Sequence, residues 1–69
     1  GRVVDMATVF EVLDQKCAEQ QSNQETFLIT GGAKDIAEYR EACGVIRGLA
    51  IARREIADLA KHIVESEEE

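Results

Sequence analysis

Nothing between Ala33 and Glu65 interrupts a helix. The chain has 69 residues and no proline at all. Ala, Glu, Ile, Leu, Arg and Lys dominate its second half. A helix of roughly 33 residues is about 50 Å long. In so short a chain it leaves room for one companion segment. Gly31-Gly32 is the clear punctuation before it, because a glycine supplies the left-handed residue that ends a helix. Asp35 and Glu38 fall in the first turns and Lys61 and His62 near the end, where each sign suits the helix dipole.

The companion segment reads as a second helix. Met6, Phe10, Leu13 and Cys17 recur at helical spacing, flanked by Val9 and Val12. Residues 1–6 form a lead-in, and Asp5 suits an N-cap. Met6 fits a native start, while Val3 and Val4 suit a packed arm equally well. The segment's far end is polar, Gln20 to Gln24, and Ser22 with Glu25 has the form of a capping box. Phe27-Leu28-Ile29-Thr30 has strand character. A lone strand would have no mate here, so the helix is expected to run to about Ile29.

The expected fold is therefore all-α: one domain over residues 1–69, an antiparallel helical hairpin that assembles into a helical bundle. The shorter first helix covers about 6–29, a turn 30–32, and the long second helix about 33–65. Turning at Gly31-Gly32 would put Cys17 near Ile46 and Phe10 near Arg53 and Arg54.

On a heptad, Tyr39, Ile46, Arg53 and Ala60 take column a, and Ala42, Leu49, Ile56 and Ile63 take d. Column e is Cys43, Ala50, Ala57 and Val64; column g is Glu38, Val45, Ala52 and Leu59. A two-stranded coiled coil wants charges at e and g. Both flanks here are mostly apolar, so the face is too wide for one neighbour. With a first helix shorter by about ten residues, Ile56, Leu59, Ile63 and Val64 would lack cover from the same chain. Patches of that kind are rarely left open on a monomer. The expected oligomer or partner interface is Ile46, Leu49, Ala52, Arg53, Ile56, Leu59, Ile63 and Val64. Gly44 and Gly48 each cost a helix about 1 kcal/mol against Ala, which points to close helix packing there.

Charge and composition exclude most chemistry. Fourteen acids outnumber 8 bases, giving a net charge of −6, so general nucleic-acid binding is not favoured. With 45% apolar and 32% charged residues the chain is globular rather than disordered. A domain this small usually needs a staple or a partner. No run approaches the roughly 20 apolar residues of a membrane span, and no signal peptide opens the chain. Arg40, Arg47, Arg54 and Lys61, seven apart, form a basic ridge in column b. It reads as a charged contact surface or as a solvated face paired with Glu11, Asp14 or Glu19. Arg53, inside the apolar seam, either fixes register against an acid or snorkels to the edge.

His62 and Asp58 are two ligands, which do not make a metal site. Cys17 and Cys43 sit on apolar faces and read as small hydrophobes. Gly-Gly-Ala-Lys-Asp at 31–35 lacks phosphate-loop spacing. No nucleophile constellation is present, so the expectation is a non-enzyme with no catalytic or metal residues, no cofactor and no small-molecule substrate.

The stretch Gly32-Ala33-Lys34-Asp35, Tyr39-Arg40 and Cys43-Gly44-Val45-Ile46-Arg47-Gly48-Leu49 resembles a pattern in small, mostly uncharacterised proteins of tailed bacteriophages. Val3-Val4-Asp5 before a helix is similar to openings in that group. The resemblance spans roughly residues 3–60 and departs at 20–29. It implies a phage origin, a place in the virion or its assembly, and localisation in the virion or host cytoplasm. It assigns no functional residues. The expected function is thus a small oligomerising structural or assembly component of a tailed-phage particle, its partner another copy or a different virion protein. The alternative is a small regulator that binds a host protein or nucleic acid.

Overall fold

The computed structural model describes the backbone of residues 2–68 and the side chains of residues 6–63, 65 and 66. Helix α1 spans Arg2–Ile29 and helix α2 spans Ile36–Glu68, 28 and 33 residues long. The described residues contain no strand. The two helices pack along their length into an antiparallel rod 52 Å long. The fold is an all-α hairpin.

Its turn is built by local chemistry. Gly31 takes a φ of +77°, a left-handed conformation that L side chains resist. The Gly31 N–H donates to the Leu28 carbonyl at 3.2 Å and the Gly32 N–H to the Phe27 carbonyl at 2.8 Å. These two bonds form a Schellman motif and satisfy carbonyls that the helix end leaves open. The Thr30 hydroxyl donates to the Thr26 carbonyl at 2.7 Å, a second bond to an oxygen that already accepts the Thr30 N–H at 2.9 Å. On the far side Asp35 caps α2: its Oδ1 accepts the Glu38 N–H at 2.9 Å. Glu38 reaches back, its Oε1 accepting the Lys34 N–H at 3.1 Å. This is a capping box displaced by one residue. The cap explains why α2 starts at Ile36 and not at 33: Asp35 is outside the helix, bonding to its first turn.

Gly32 is held by space instead of by φ. A Cβ there would overlap the Phe27 ring and stand 2.8 Å from the Phe27 carbonyl oxygen. Gly32→Ala is expected to destabilise the hairpin by roughly 1–3 kcal/mol, the usual cost of overpacking. Chemical denaturation at fixed protein concentration measures it.

Other expectations change at α1. The helix begins at Arg2, so Asp5 lies within it and does not cap it; the side chains of Val3, Val4 and Asp5 are outside the described residues. The polar stretch 20–24 stays helical, and Ser22 starts no new helix. Gln21 explains the continuity, because its Nε2 donates to the Ile46 carbonyl across the hairpin at 3.2 Å. Phe27 to Ile29 finish α1 as helix.

The register differs as well. Residue 21, not 17, stands opposite Ile46, and residue 14, not 10, opposite Arg53. That is a slip of about one helical turn. Its cause is the connection, which occupies residues 30–35 and moves the crossing point towards α2.

Half-buried positions on α1 fall at 7, 10, 14, 17, 18, 21, 24 and 28; apart from Ala18, beside the seam, they alternate in a three-four spacing. On α2 the inward positions are 42, 46, 49, 53, 56, 60 and 63. Each helix thus gives the other one heptad seam. The register sets Ala7 across from Ala60 and Phe10 across from Ile56. Among the described residues only Ala42, 3% exposed, is fully buried.

Candidate functional site

The middle of the seam is polar. Arg53 Nε donates to Asp14 Oδ1 at 2.8 Å and its second amino nitrogen to Oδ2 at 3.1 Å. Its remaining amino group donates to Gln21 Oε1 at 2.8 Å. Asp14 therefore receives Arg53 in bidentate form, the geometry a guanidinium matches best. Arg53 does not snorkel away; it meets an acid of the same chain and ties two turns of α1 to one of α2. Both side chains keep over a third of their surface open to water, so the pair specifies register more than it stabilises.

The hydrogen bond from Arg53, with its charge adding, holds the Asp14 carboxyl below its ordinary value of 3.8, against a smaller opposing effect of burial. A carboxyl lowered in the folded state contributes stability above its unfolded value and loses it as pH falls through the folded one. Acidification below about pH 4 should therefore lower the melting temperature of the native chain more than that of Asp14→Asn. Melting curves at pH 7 and pH 3, at one protein concentration, check the difference.

The expected interface residues divide. Ile46, Leu49, Arg53, Ile56 and Ile63 belong to the seam and are half-buried within the chain. The reason is the length of α1: Met6 reaches the far end of α2 and shares a hollow with Leu59, His62, Ile63 and Ser66. Ala52 is half-buried on the flank, and Leu59 is 52% exposed. The Val64 side chain lies outside the described residues.

Gly44 and Gly48 provide no close approach inside the hairpin. A Cβ on either meets nothing within 4 Å, because both fall in outer columns of α2. Gly44→Ala should accordingly raise hairpin stability by about 1 kcal/mol, the intrinsic propensity gain. A urea titration reads it directly.

Two flanks remain. On one, column g of α1 (Met6, Leu13, Gln20, Phe27) faces column g of α2. Phe27 lies by Glu38 and Val45, as Met6 lies by Leu59. Met6, Leu13, Phe27, Val45 and Leu59 are all exposed here. The apolar surface continues round α1 through Val9 and Val12, which line a hollow with Thr8, Leu13 and Lys16. Sequence reasoning grouped Met6, Phe10, Leu13 and Cys17 at helical spacing, flanked by Val9 and Val12; Phe10 and Cys17 are half-buried in the seam, whereas Met6 and Leu13 are exposed. Met6, Val9 and Leu13 point outward, because α1 turns Ala7, Phe10 and Asp14 to the seam.

The other flank carries the basic ridge. Arg40, Arg47, Arg54 and Lys61 are all exposed and make no ion pair or hydrogen bond among the described residues. Asp14, one of the acids expected to pair with the ridge, is taken by Arg53. Between the ridge and α1 lie the small residues Cys43, Ala50 and Ala57.

Cys17 and Cys43 are free thiols. The register sets Cys17 near Leu49, several residues from Cys43, too far for a disulfide within the hairpin. Cys43 sits one turn from Tyr39, and its side chain pushes the phenol above its usual 10.0. No group of three or more metal-ligating side chains occurs among the described residues, and none of their helices is long and apolar enough to cross a membrane. Compared with known protein families, curated proteins and solved structures, the chain matches none.

Proposed function

We propose that this protein is a non-enzymatic helical building block that works by self-assembly, as a structural or assembly component of a tailed-phage particle. The observation that supports assembly is the long apolar flank on a hairpin with one fully buried residue among those described. Apolar surface left open at this scale marks an interaction site. The phage setting rests on the resemblance carried by residues 32–49. Mass spectrometry of purified particles tests it: the protein should be present in many copies per virion. Absence from particles, together with tight binding to a host factor, would replace this reading with the second one.

That second reading is a small regulator. The unpaired ridge of Arg40, Arg47, Arg54 and Lys61 favours it, since four aligned cations suit an acidic partner or a phosphate backbone. Arg40→Glu with Arg47→Glu separates the two. A regulator loses partner binding and keeps its oligomeric state, and any nucleic-acid affinity falls steeply with salt. A building block keeps its assembly.

A further inference from the structure

We propose that a second copy of this chain docks on the flank formed by Met6, Leu13 and Phe27 of α1 and Val45, Ala52 and Leu59 of α2, giving a two-fold four-helix bundle. The inference rests on the self-assembly proposed above and names its face and its occupant.

Each helix carries a second heptad set, one residue out of step with its seam. On α1 it falls at 6, 9, 13, 16, 20, 23 and 27, and on α2 at 41, 45, 48, 52, 55, 59 and 62. The α1 set reads Met-Val-Leu-Lys-Gln-Asn-Phe and the α2 set Glu-Val-Gly-Ala-Glu-Leu-His. Heptad spacing is what a helix needs to meet another helix along its length. The first set is occupied within the chain; the second faces water, apart from the half-buried Ala52. Both sets of outer positions share one flank, since Met6 lies by Leu59 and Phe27 by Val45.

The exposed area of the elongated rod leaves room for an interface of standard size. The chain exposes 5466 Å². A compact monomer of its 7.6 kDa would expose about 4,300 Å² by the usual mass scaling. The excess, about 1,200 Å², is more than the roughly 800 Å² per partner of a standard interface. A second hairpin laid lengthwise covers such a strip.

Charge favours one arrangement. On this flank α1 contributes Lys16, and α2 contributes Glu38, Glu41 and Glu55; Lys16, Glu41 and Glu55 are exposed and Glu38 is half-buried. Laying α1 of one copy on α2 of the other brings each lysine towards acids. Laying like helices together opposes lysine to lysine and acid to acid, which is unfavourable. Among the described residues the opposite flank offers no comparable apolar strip, since its inner positions there are Cys43, Ala50 and Ala57.

Sedimentation equilibrium of the full chain, with circular dichroism to monitor folding, tests the proposal. The native chain should be a dimer. Leu59→Glu should weaken dimerisation by at least roughly a hundredfold, because a two-fold interface receives two unpaired carboxylates. Ala57→Glu, two residues away on the opposite flank, should leave it within about threefold. Dissociation by Ala57→Glu and not by Leu59→Glu would overturn this face and leave self-assembly standing. A native chain that stays monomeric at every concentration would overturn both. If Leu59→Glu fails to fold, Lys16→Glu supplies the test, since it lies outside the seam. It should weaken the dimer, and adding Glu41→Lys and Glu55→Lys should restore it. Failure to weaken, or failure to restore, would overturn the arrangement.

Discussion

An Ile56→Asp variant is expected to lose most of its helical circular dichroism at neutral pH and 25 °C. Ile56 occupies the seam of α2, half-buried, where the register sets it across from Phe10. The substitution removes apolar contact and places a carboxylate where no cation stands opposite. Losing the aliphatic side chain costs about 2–5 kcal/mol at a fully buried site and less at this half-buried one, and an unpaired charge in the seam adds to that. Small single-core domains rarely hold more than about 3–5 kcal/mol in total. Unfolding is therefore the expected result, because Ile56, which the sequence placed at an oligomer or partner interface, packs within the chain. A variant that remains helical and monomeric would show that the seam contributes little. Ile51→Asp, at an exposed position of the same helix, serves as the control and should stay folded.

The second effect concerns Asp14 and Arg53. Arg53→Ala strips Asp14 and Gln21 of the donors that they share. It should lower the melting temperature only modestly, because the pair is over a third exposed, and Asp14→Ala should do the same by leaving the guanidinium with one partner. The double variant Asp14→Leu with Arg53→Leu should recover that loss, because apolar pairs often match or exceed the ion pairs they replace. Its cost is expected in specificity. The neighbouring α1 seam positions Cys17, Gln21 and Gln24 offer little shape to distinguish one register from its neighbour a turn away. Amide NMR spectra of the double variant should then show more than one set of signals. A single sharp set would mean that the turn alone sets the register.

Much of the architecture was legible along the chain. The absence of proline, the apolar recurrence from Ala33 onward and Gly31-Gly32 determine two helices and the place where they part. These are local matters: a missing N–H, a left-handed φ at Gly31 and an acid at Asp35 act within a few residues. The width of the apolar face on α2 was legible too, because heptad columns follow from helical geometry alone.

Which apolar residues face inward was decided by the tertiary structure. Met6, Val9 and Leu13 have better hydrophobic credentials than Asp14, Gln21 and Gln24, yet the latter three line the seam. Periodicity reports that α1 has an apolar face; it does not report which face meets α2. That choice depends on the crossing point, and the crossing point depends on the six-residue connection over 30–35. Its length follows from how the Schellman turn at Gly31 joins the Asp35 cap. A shift of about one turn moved Arg53 from Phe10 to Asp14. It also brought Met6 over the end of α2, covering Ile63 and leaving Leu59 open. Pairing between residues far apart in sequence is a property of the closed chain, and only the closed hairpin could settle it.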